Sequence, residues 1–340
     1  MRLVVAIPTF NNLKFTKMCI ASISENTTIP YELLIVDDGS TDGTKEWVKS
    51  QGINIIEHVD NLGICYTMND MYDYALKDDD TILLITQSDT LMYNNAIDEL
   101  FKGMVTTNYD CLGGCEVNIS DLCTHWNSPI EVLKSLYEIT LCSDCGQKHK
   151  SFIAESFPQY KEYENKIDKN FKVINRYPML PNMKYSALTF FAVKKSFRDK
   201  VGYFDVNFFP LYFCDNDYLY RASHTPAVKM GSVTSSWYFH FQARTIHEGH
   251  VAKIISRYND FNALYYRQKW GGLPNREKYD MPFNKPKYIK TSSEKNILSI
   301  SRSTSNMNIF DRGYELEAIK LWKNRAVSDE VVPQLEKLVS

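Results

Sequence analysis

The sequence predicts an α/β protein: a Rossmann-like, mostly parallel sheet flanked by helices, with a small C-terminal extension. Two observations support this fold class. Short, continuous apolar runs alternate with amphipathic segments of helical length through the first hundred residues, and polar or glycine-containing turns separate them. Strands and helices that alternate in this way form right-handed βαβ units, whose parallel strands are buried on both faces.

Four strands and four helices are predicted before residue 110. The strands are Leu3–Pro8, Tyr31–Ser40, Ile53–His58 and Thr81–Thr86. The helices are Asn12–Asn26, one in STDGTKEWVKS with Asp42 among its N-cap candidates, one carrying Ile64, Met68, Met71 and Ala75, and one carrying Ile97, Leu100, Phe101, Met104 and Val105. Apolar residues at such spacing share one face of a helix.

The periodicity fades between Cys111 and Tyr185, where one helix near Glu131–Ile139 is predicted. The later predictions are a strand, two helices and a basic connector. They are the strand Ser186–Phe197, the helix Val251–Trp270, the connector Asn284–Arg302 and the helix Tyr314–Arg325.

Composition narrows the classes of function. The chain has 340 residues and a net charge of −2, from 39 basic and 41 acidic residues, so no global field draws it onto nucleic acid or an anionic membrane. No apolar run approaches the roughly 18 residues that a spanning helix needs. The start of the chain lacks a signal-peptide cleavage site. We therefore expect a cytoplasmic protein with reduced thiols and no stable membrane insertion.

Residues that could bind a ligand lie at the carboxyl ends of all four predicted strands. They are Pro8, Thr9, Phe10 and Asn11 after the first, Asp37 and Asp38 after the second, Asn61 and Gly63 after the third, and Gln87, Ser88 and Asp89 after the fourth. Each group alone also reads as a turn or helix cap. Ligands of open parallel sheets bind beyond the carboxyl ends of the strands, so four groups at one edge favour a binding site. No GxGxxG, GxxxxGK[ST] or GxSxG motif is present, which argues against dinucleotide, phosphate-loop and serine-hydrolase sites.

Six segments, in order and spacing, resemble the inverting glycosyltransferases of family 2, which have the GT-A fold. They are VVAIPTFNN, ELLIVDDGSTDGT, DNLGICYTMN, VGYFDVNFFPLYFCDNDYLYR, WYFHFQART and YYRQKWGGLPNREKYDMPF. The resemblance covers roughly residues 3–285. It implies a GT-A domain over residues 1–284, with a nucleotide-sugar-binding half (1–110) and an acceptor half (111–284), followed by a connector and helical extension (285–340).

The resemblance also implies a divalent cation, Mn²⁺ or Mg²⁺, which prefers carboxylate and phosphate oxygens. Asp89 matches the last residue of the family's D-x-D motif, and His240 matches a metal-ligating His. Gln87 replaces the first Asp of that motif, which makes the metal requirement itself open. Ser88 is expected to reach the ribose, and Arg244 to close over the diphosphate.

The resemblance implies that Asp215 is the general base, because it matches the Asp of the family's Glu-Asp pair. Cys214 replaces the Glu of that pair. Asp217 is the fallback base or an acceptor-orienting residue. Both Asp residues are alternatively helix-start caps.

For the donor nucleoside, the resemblance places a small set of residues around the base and the turn that holds it. Pro8 shapes the turn with Asn11 beside it, Thr9 and Phe10 lie against the base, Asp38 bonds its edge and Asn69 lies near the nucleoside. Phe10 is equally well explained by core packing.

The implied function is metal-assisted transfer of a sugar from a UDP- or other NDP-sugar to a glycan or other hydroxyl acceptor, with inversion, as in polysaccharide biosynthesis. A non-catalytic nucleotide-sugar-binding partner subunit is one alternative. A glycosyltransferase acting on modified nucleic acid is another, supported only by the basic stretch Lys285–Arg302. A zinc site among five cysteines is a further option, with free thiols as the default; they are Cys111, Cys115, Cys123, Cys142 and Cys145.

Overall fold

A computed structural model describes most of the first 120 residues and the segments that complete the sheet. The described residues are 1–93, 95–118, 140–141, 148–149, 171–174, 188–241, 259, 262–263 and 265–284. Several predictions lie outside them: the helix near Glu131–Ile139, most of Val251–Trp270, Arg244, and everything from residue 285 onward.

Helices and short strands alternate from β1 to β4, and strands predominate in the later part of the described chain. The strands are β1 (Arg2–Thr9), β2 (Glu32–Asp37), β3 (Asn54–Glu57), β4 (Thr81–Thr86), β5 (Thr90–Tyr93), β6 (Cys111–Asn118), β7 (Thr140–Leu141), β8 (Lys148–His149), β9 (Val173–Ile174), β10 (Phe190–Lys194) and β11 (Met230–His240). The helices are α1 (Leu13–Asn26), α2 (Thr44–Ser50), α3 (Ile64–Ala75), α4 (Ala96–Thr106), α5 (Lys195–Val201) and α6 (Cys214–Ser223). Residues 265–270 are also helical.

The main sheet runs in the order β3-β2-β1-β4-β10-β6-β11-β5, with β9 also paired to β11. The first four strands are parallel, as predicted. Beyond them the sheet is mixed: β10 is antiparallel to β4 and β6, and β11 is parallel to β6 but antiparallel to β5. The α/β fold class is confirmed.

Periodicity predicted the helical faces well, with one error on α4. Ile97, Leu100 and Met104 are fully buried, but Val105 is 46% exposed. Val105 lies eight residues after Ile97 and so about 80° around the helix, at the margin of the apolar face. Val105 therefore lies at the edge of the predicted apolar stripe and is largely outside the core.

The strands β5 and β6 were not predicted, and the predicted strand Ser186–Phe197 is longer than the strand observed. That segment is strand only over β10, and the chain turns directly into α5 at Lys195. The β6 segment, CLGGCEVN, carries two glycines, which lower strand propensity. At Gly114 the absence of a side chain is required, because a Cβ there would lie 2.5 Å from the Phe190 ring.

The chain forms two compact units. Unit 1 comprises residues 1–60, 75–196 and 229–248 and contains all the described strands; unit 2 comprises residues 61–74, 197–228 and 249–340 and contains α6. The domain boundaries at 110/111 and 284/285 stay predictions. Within the described part of the chain, no helix has the length and apolar character needed to cross a membrane.

Candidate active site

In unit 1, the ends of β1 and β2 are joined by hydrogen bonds. The Thr9 carbonyl accepts from the Asp38 N–H at 2.9 Å, which places these two residues side by side. Asn11 adopts φ 47°, a conformation that Asn tolerates better than most residues. Its N–H donates to Ser40 Oγ at 2.9 Å, and its Oδ1 accepts from the Thr41 N–H at 2.7 Å. The predicted donor-binding residues at these two strand ends are thus held as one surface.

Asp38 is paired with a residue from the end of the neighbouring strand β3. His58 Nδ1 lies 2.7 Å from Asp38 Oδ1, and both side chains are largely buried. The backbone N–H of His58 also donates to the Asp37 carbonyl at 2.9 Å, which fixes the backbone beside the pair. The Asp38 carboxylate therefore has a fixed orientation.

Ser88, after β4, is joined to the same surface. Asn12 Nδ2 donates to Ser88 Oγ at 3.0 Å, and Thr9 Oγ1 lies 2.8 Å from Thr16 Oγ1. Pro8 is buried opposite Val36 in the β1–β2 register. Phe10 is half-buried, so its packing and donor-binding interpretations both remain open.

Asp89 and His240 are brought together although 151 positions separate them. His240 is paired with Thr90 in the antiparallel β11–β5 register, and the Phe241 N–H donates to the Asp89 carbonyl at 3.0 Å. Their side chains meet as a result, with His240 Nε2 at 3.3 Å from Asp89 Oδ1. The pairing of these two residues was expected only from the family resemblance.

Glu116 of β6 approaches the other side of the His240 ring, with Oε1 at 3.1 Å from Nδ1. We call Asp89, Glu116 and His240 the His240 cluster. Burial alone would lower the pKa of His240, but the carboxylates of Asp89 and Glu116 outweigh it and raise the pKa to about 10. With a protonated imidazole, the three groups carry a formal charge of −1 between them.

The His240 cluster fits a divalent cation with two protein ligands. In the described residues, no group of three or more His, Cys, Asp and Glu side chains is arranged to hold a metal. Asp89 and Glu116 contact opposite ring nitrogens, so among the described residues Asp89 and His240 are the candidate ligands of a cation beside Nε2. Ligands at adjacent corners of an octahedron with bonds of about 2.1 Å lie roughly 3 Å apart, close to the 3.3 Å separation here. A cation held there would need further ligands from outside these two residues, and its binding would displace the Nε2 proton.

In unit 2, Asp215 lies in the first turn of α6 and is partly buried. Its Oδ1 accepts from the Asn216 N–H at 2.9 Å. Burial raises the pKa of this carboxyl above its ordinary value, although backbone hydrogen bonds partly oppose the change. A carboxylate with a raised pKa is a better proton acceptor, which suits a general base.

Asp217 lies two residues after Asp215 in α6 and is fully buried within a charged network. Lys269 Nζ lies 2.7 Å from Oδ1, Trp270 Nε1 donates to Oδ1 at 2.8 Å, and Arg221 donates to Oδ2 at 3.2 Å. Lys269 also pairs with Asp205 at 2.5 Å. Burial would raise the pKa of Asp205, but the ammonium group of Lys269 lowers it. We call Asp205, Asp217, Arg221 and Lys269 the Lys269 cluster, and its contacts favour a structural rather than a catalytic part for Asp217.

Asn69 uses its side-chain amide within unit 2. Its Nδ2 donates to the Phe204 carbonyl at 3.0 Å, and its Oδ1 accepts from the Phe204 N–H at 2.8 Å. These bonds favour a structural role, and the donor-binding assignment stays a prediction. Cys111 and Cys115 are buried free thiols, and burial raises the pKa of Cys115 to about 12. The other three cysteines of the predicted zinc alternative lie outside the described residues.

Sequence reasoning missed Glu116 and His58. His58 closes the predicted strand Ile53–His58, so the same strand-end rule that selected Asp38 also identifies it. Glu116 lies in a segment where no strand was predicted, and the sequence alone carries no signal for it.

One protein-family model matches this chain. The family model described as Glycosyl transferase family 2 matches residues 4–176, just over half of the chain. This range contains Thr9, Asp38 and Asp89, and it ends before Asp215 and His240. A search of curated proteins finds no significant match.

Crystal structures of residues 1–349 of S. aureus TarS are similar to this chain. The first has 13% identity and a TM-score of 0.48, covering 99% of this chain and 87% of that chain. The complex with UDP has 13% identity and a TM-score of 0.46, covering 98% and 83%. The complex with UDP-GlcNAc has 14% identity and a TM-score of 0.47, covering 98% and 84%. With these TM-scores below 0.5, family membership rests on the family model: the chain belongs to glycosyl transferase family 2 and is a glycosyltransferase.

Proposed function

We propose that this glycosyltransferase moves a sugar from a UDP- or other NDP-sugar to an acceptor hydroxyl, with inversion, in a single displacement assisted by Mn²⁺ or Mg²⁺. The observation that carries the proposal is the meeting of Asp89 and His240, 3.3 Å apart. This pair lies in the same unit as the hydrogen-bonded ends of β1, β2 and β4. A glycan is the acceptor class that the family resemblance favours.

The donor nucleoside binds to the strand-end surface of unit 1. Asp38, oriented by His58, accepts a hydrogen bond from the base edge, and Thr9 and Phe10 lie against the base. Ser88, held by Asn12, bonds the ribose. These residues are already ordered by bonds to one another, which lowers the conformational entropy lost when the donor binds.

Asp89 and His240 hold the cation beside the diphosphate. When bound there, a divalent cation acts as a Lewis acid that stabilises the negative charge developing on the leaving diphosphate. Because the D-x-D motif has lost one carboxylate to Gln87, Asp89 and His240 alone bind the cation weakly, and the donor's phosphate oxygens complete the site. Arg244 is retained as a candidate for closing over the diphosphate.

Asp215 is the general base. It removes the proton from the acceptor hydroxyl while that oxygen attacks the anomeric carbon from the side opposite the diphosphate, which inverts the configuration. Asp217 is retained as the positioning residue of the same helical turn, because its bonds to Lys269 and Trp270 fix the start of α6.

A thermal-shift screen followed by a transfer assay tests the function. Nucleoside diphosphates and nucleotide sugars, UDP-GlcNAc among them, are added with Mn²⁺ or Mg²⁺. A ligand at about 100 times its Kd stabilises the folded chain by about 2.7 kcal/mol. We expect at least one nucleotide sugar to raise the Tm in the presence of the cation, and EDTA to reduce that rise.

The outcomes separate the alternatives. Donor consumption with a glycan or other hydroxyl acceptor supports the transferase. Donor binding without consumption, across many acceptors, would favour the non-catalytic partner subunit. Salt-dependent binding of DNA that is lost when residues 285–302 are deleted would favour a nucleic-acid acceptor. No Tm change with any nucleotide and cation would contradict the proposal.

A further inference from the structure

Glu116 is held from two sides by one neighbouring strand. It stands opposite Tyr238 in the parallel β6–β11 register. The Tyr238 hydroxyl donates to Glu116 Oε2 at 2.9 Å, and His240 Nδ1 lies 3.1 Å from Oε1. Tyr238 and His240 are two residues apart on β11, so their side chains leave the same face of the strand. The carboxylate is therefore bonded through both of its oxygens and cannot rotate away from His240.

The approach of these groups depends on an irregularity in the sheet. Between the pairs Ser232–Gly113 and Trp237–Cys115 the register of β11 against β6 shifts. Bulges of this kind re-aim side chains and are frequent beside active sites. Here the shift determines that Tyr238, and with it His240, lies beside Glu116.

Burying charged side chains costs free energy unless their charges are compensated. The side chains of Glu116, His240 and Asp89 are only 10%, 13% and 9% exposed. Two carboxylates and one imidazole lie together in this poorly solvated place, where buried charge is stabilised by pairing or by a cation. Imidazoles that bind metals commonly donate their other N–H to a carboxylate, which fixes the tautomer and the ring orientation.

We propose that Glu116 is a positioning residue which, itself locked by Tyr238, holds His240 so that Nε2 faces Asp89 and the cation. The inference rests on the proposed function, because it assigns Asp89 and His240 as the cation ligands. In this arrangement the Nδ1–H of His240 donates a hydrogen bond to Glu116, and Nε2 presents its lone pair to the cation. The charge of Glu116 also favours the bound cation over the empty site.

Equilibrium binding of Mn²⁺ in the presence of UDP tests this without turnover. Free Mn²⁺ is measured by its electron paramagnetic resonance signal. Wild type and Glu116→Gln are compared at one temperature, which lies below the Tm of both proteins. Gln keeps the shape of the side chain but removes the charge, and loss of such an outer partner typically weakens metal binding by about 10- to 100-fold. We expect a loss of at least about tenfold, with the Tm in the absence of metal little changed.

Glu99→Gln is the matched control. Glu99 is a partly buried carboxylate that accepts from Ser235 Oγ at 2.6 Å, so it bonds the same strand β11 away from His240. Its variant should bind Mn²⁺ as wild type does. Tyr238→Phe is the second variant: it leaves Glu116 bonded to His240 but releases Oε2, and we expect a loss of Mn²⁺ affinity smaller than that in Glu116→Gln.

The outcomes distinguish this inference from the proposed function. Wild-type affinity in Glu116→Gln, or in Tyr238→Phe should Glu116→Gln fail to fold, would overturn the positioning role alone. An equal loss in Glu99→Gln would show a general effect of lost charge and would likewise overturn it. Absence of Mn²⁺ binding by the wild-type chain with UDP would overturn both the inference and the metal-assisted proposal.

Discussion

The His240 cluster and the Lys269 cluster, both among the described residues, differ in their balance of charge. In the Lys269 cluster, two carboxylates face one ammonium and one guanidinium group, and Lys269, Asp205 and Asp217 are fully buried. In the His240 cluster, two carboxylates share one imidazole, and its members retain slight exposure. The four groups of the first cluster sum to zero formal charge, whereas the three groups of the second, with a protonated imidazole, sum to −1 and are not fully buried.

This difference separates structure from chemistry. A neutral, fully bonded network gains nothing from a further ion, and breaking it leaves a charge without compensation. A cluster with excess negative charge is stabilised by an added cation. Asp215 belongs to neither cluster, although it lies only two residues before Asp217. Four predictions use this contrast.

The largest expected effect is on turnover when Asp215 is replaced by Asn. The variant cannot accept the acceptor proton, and general-base catalysis typically contributes about 10²- to 10⁴-fold. Because burial penalises the Asp215 charge, the free energy of unfolding should be unchanged or slightly higher. The measurements are the transfer rate, donor affinity and urea denaturation. Retained turnover would remove the base assignment. Asp217→Asn, as a control, should lower stability.

The next effect is on stability when Lys269 is replaced by Met. The substitution leaves Asp205 and Asp217 buried with one cation between them, and removing one partner of a buried pair costs about 3–5 kcal/mol. Urea denaturation measures the change. Lys278→Met, at an exposed position of the same unit, should stay within about 0.5 kcal/mol of wild type. A similarly small loss in Lys269→Met would contradict the structural interpretation of the Lys269 cluster.

Asp89→Asn should separate metal binding from stability in the His240 cluster. It removes one cation ligand, so Mn²⁺ affinity in the presence of UDP should fall by about tenfold or more. The remaining Glu116 and protonated His240 form a neutral pair, so the free energy of unfolding without metal should fall by less than in Lys269→Met. A stability loss as large as that of Lys269→Met, with Mn²⁺ affinity intact, would make the two clusters equivalent.

The contrast also shows how far the sequence determines the site. The four parallel strands were predictable because each is a local apolar run, and the residues at their ends followed from the rule for open sheets. Asp38 and Asp89 were found in this way. His240 was found only through a family motif, since no local pattern indicates that β11 runs antiparallel to β5.

Glu116 and Lys269 could not be predicted, for different physical reasons. Glu116 reaches His240 through the pairing of β6 with β11, two strands whose registers shift along their length. Lys269 lies in a helical segment that reads as an ordinary charged position, and its burial depends on partners 52 and 64 residues away. Non-local pairings of this kind are properties of the fold and not of any sequence window.

The smallest predicted effect concerns the pH dependence of transfer. The base must be ionised, so kcat/KM rises with pH through the pKa of Asp215, and burial places this acid limb above the ordinary carboxyl range of about 3.9. Each pH unit below the midpoint costs about tenfold. The folded chain also binds a proton here that the unfolded chain has lost, so stability falls slightly as pH rises through the same interval. The residual activity of Asp215→Asn should lack the limb. A limb that persists in this variant would assign the titration to another group, such as the donor diphosphate, and would leave the assignment of Asp215 as the base without this support.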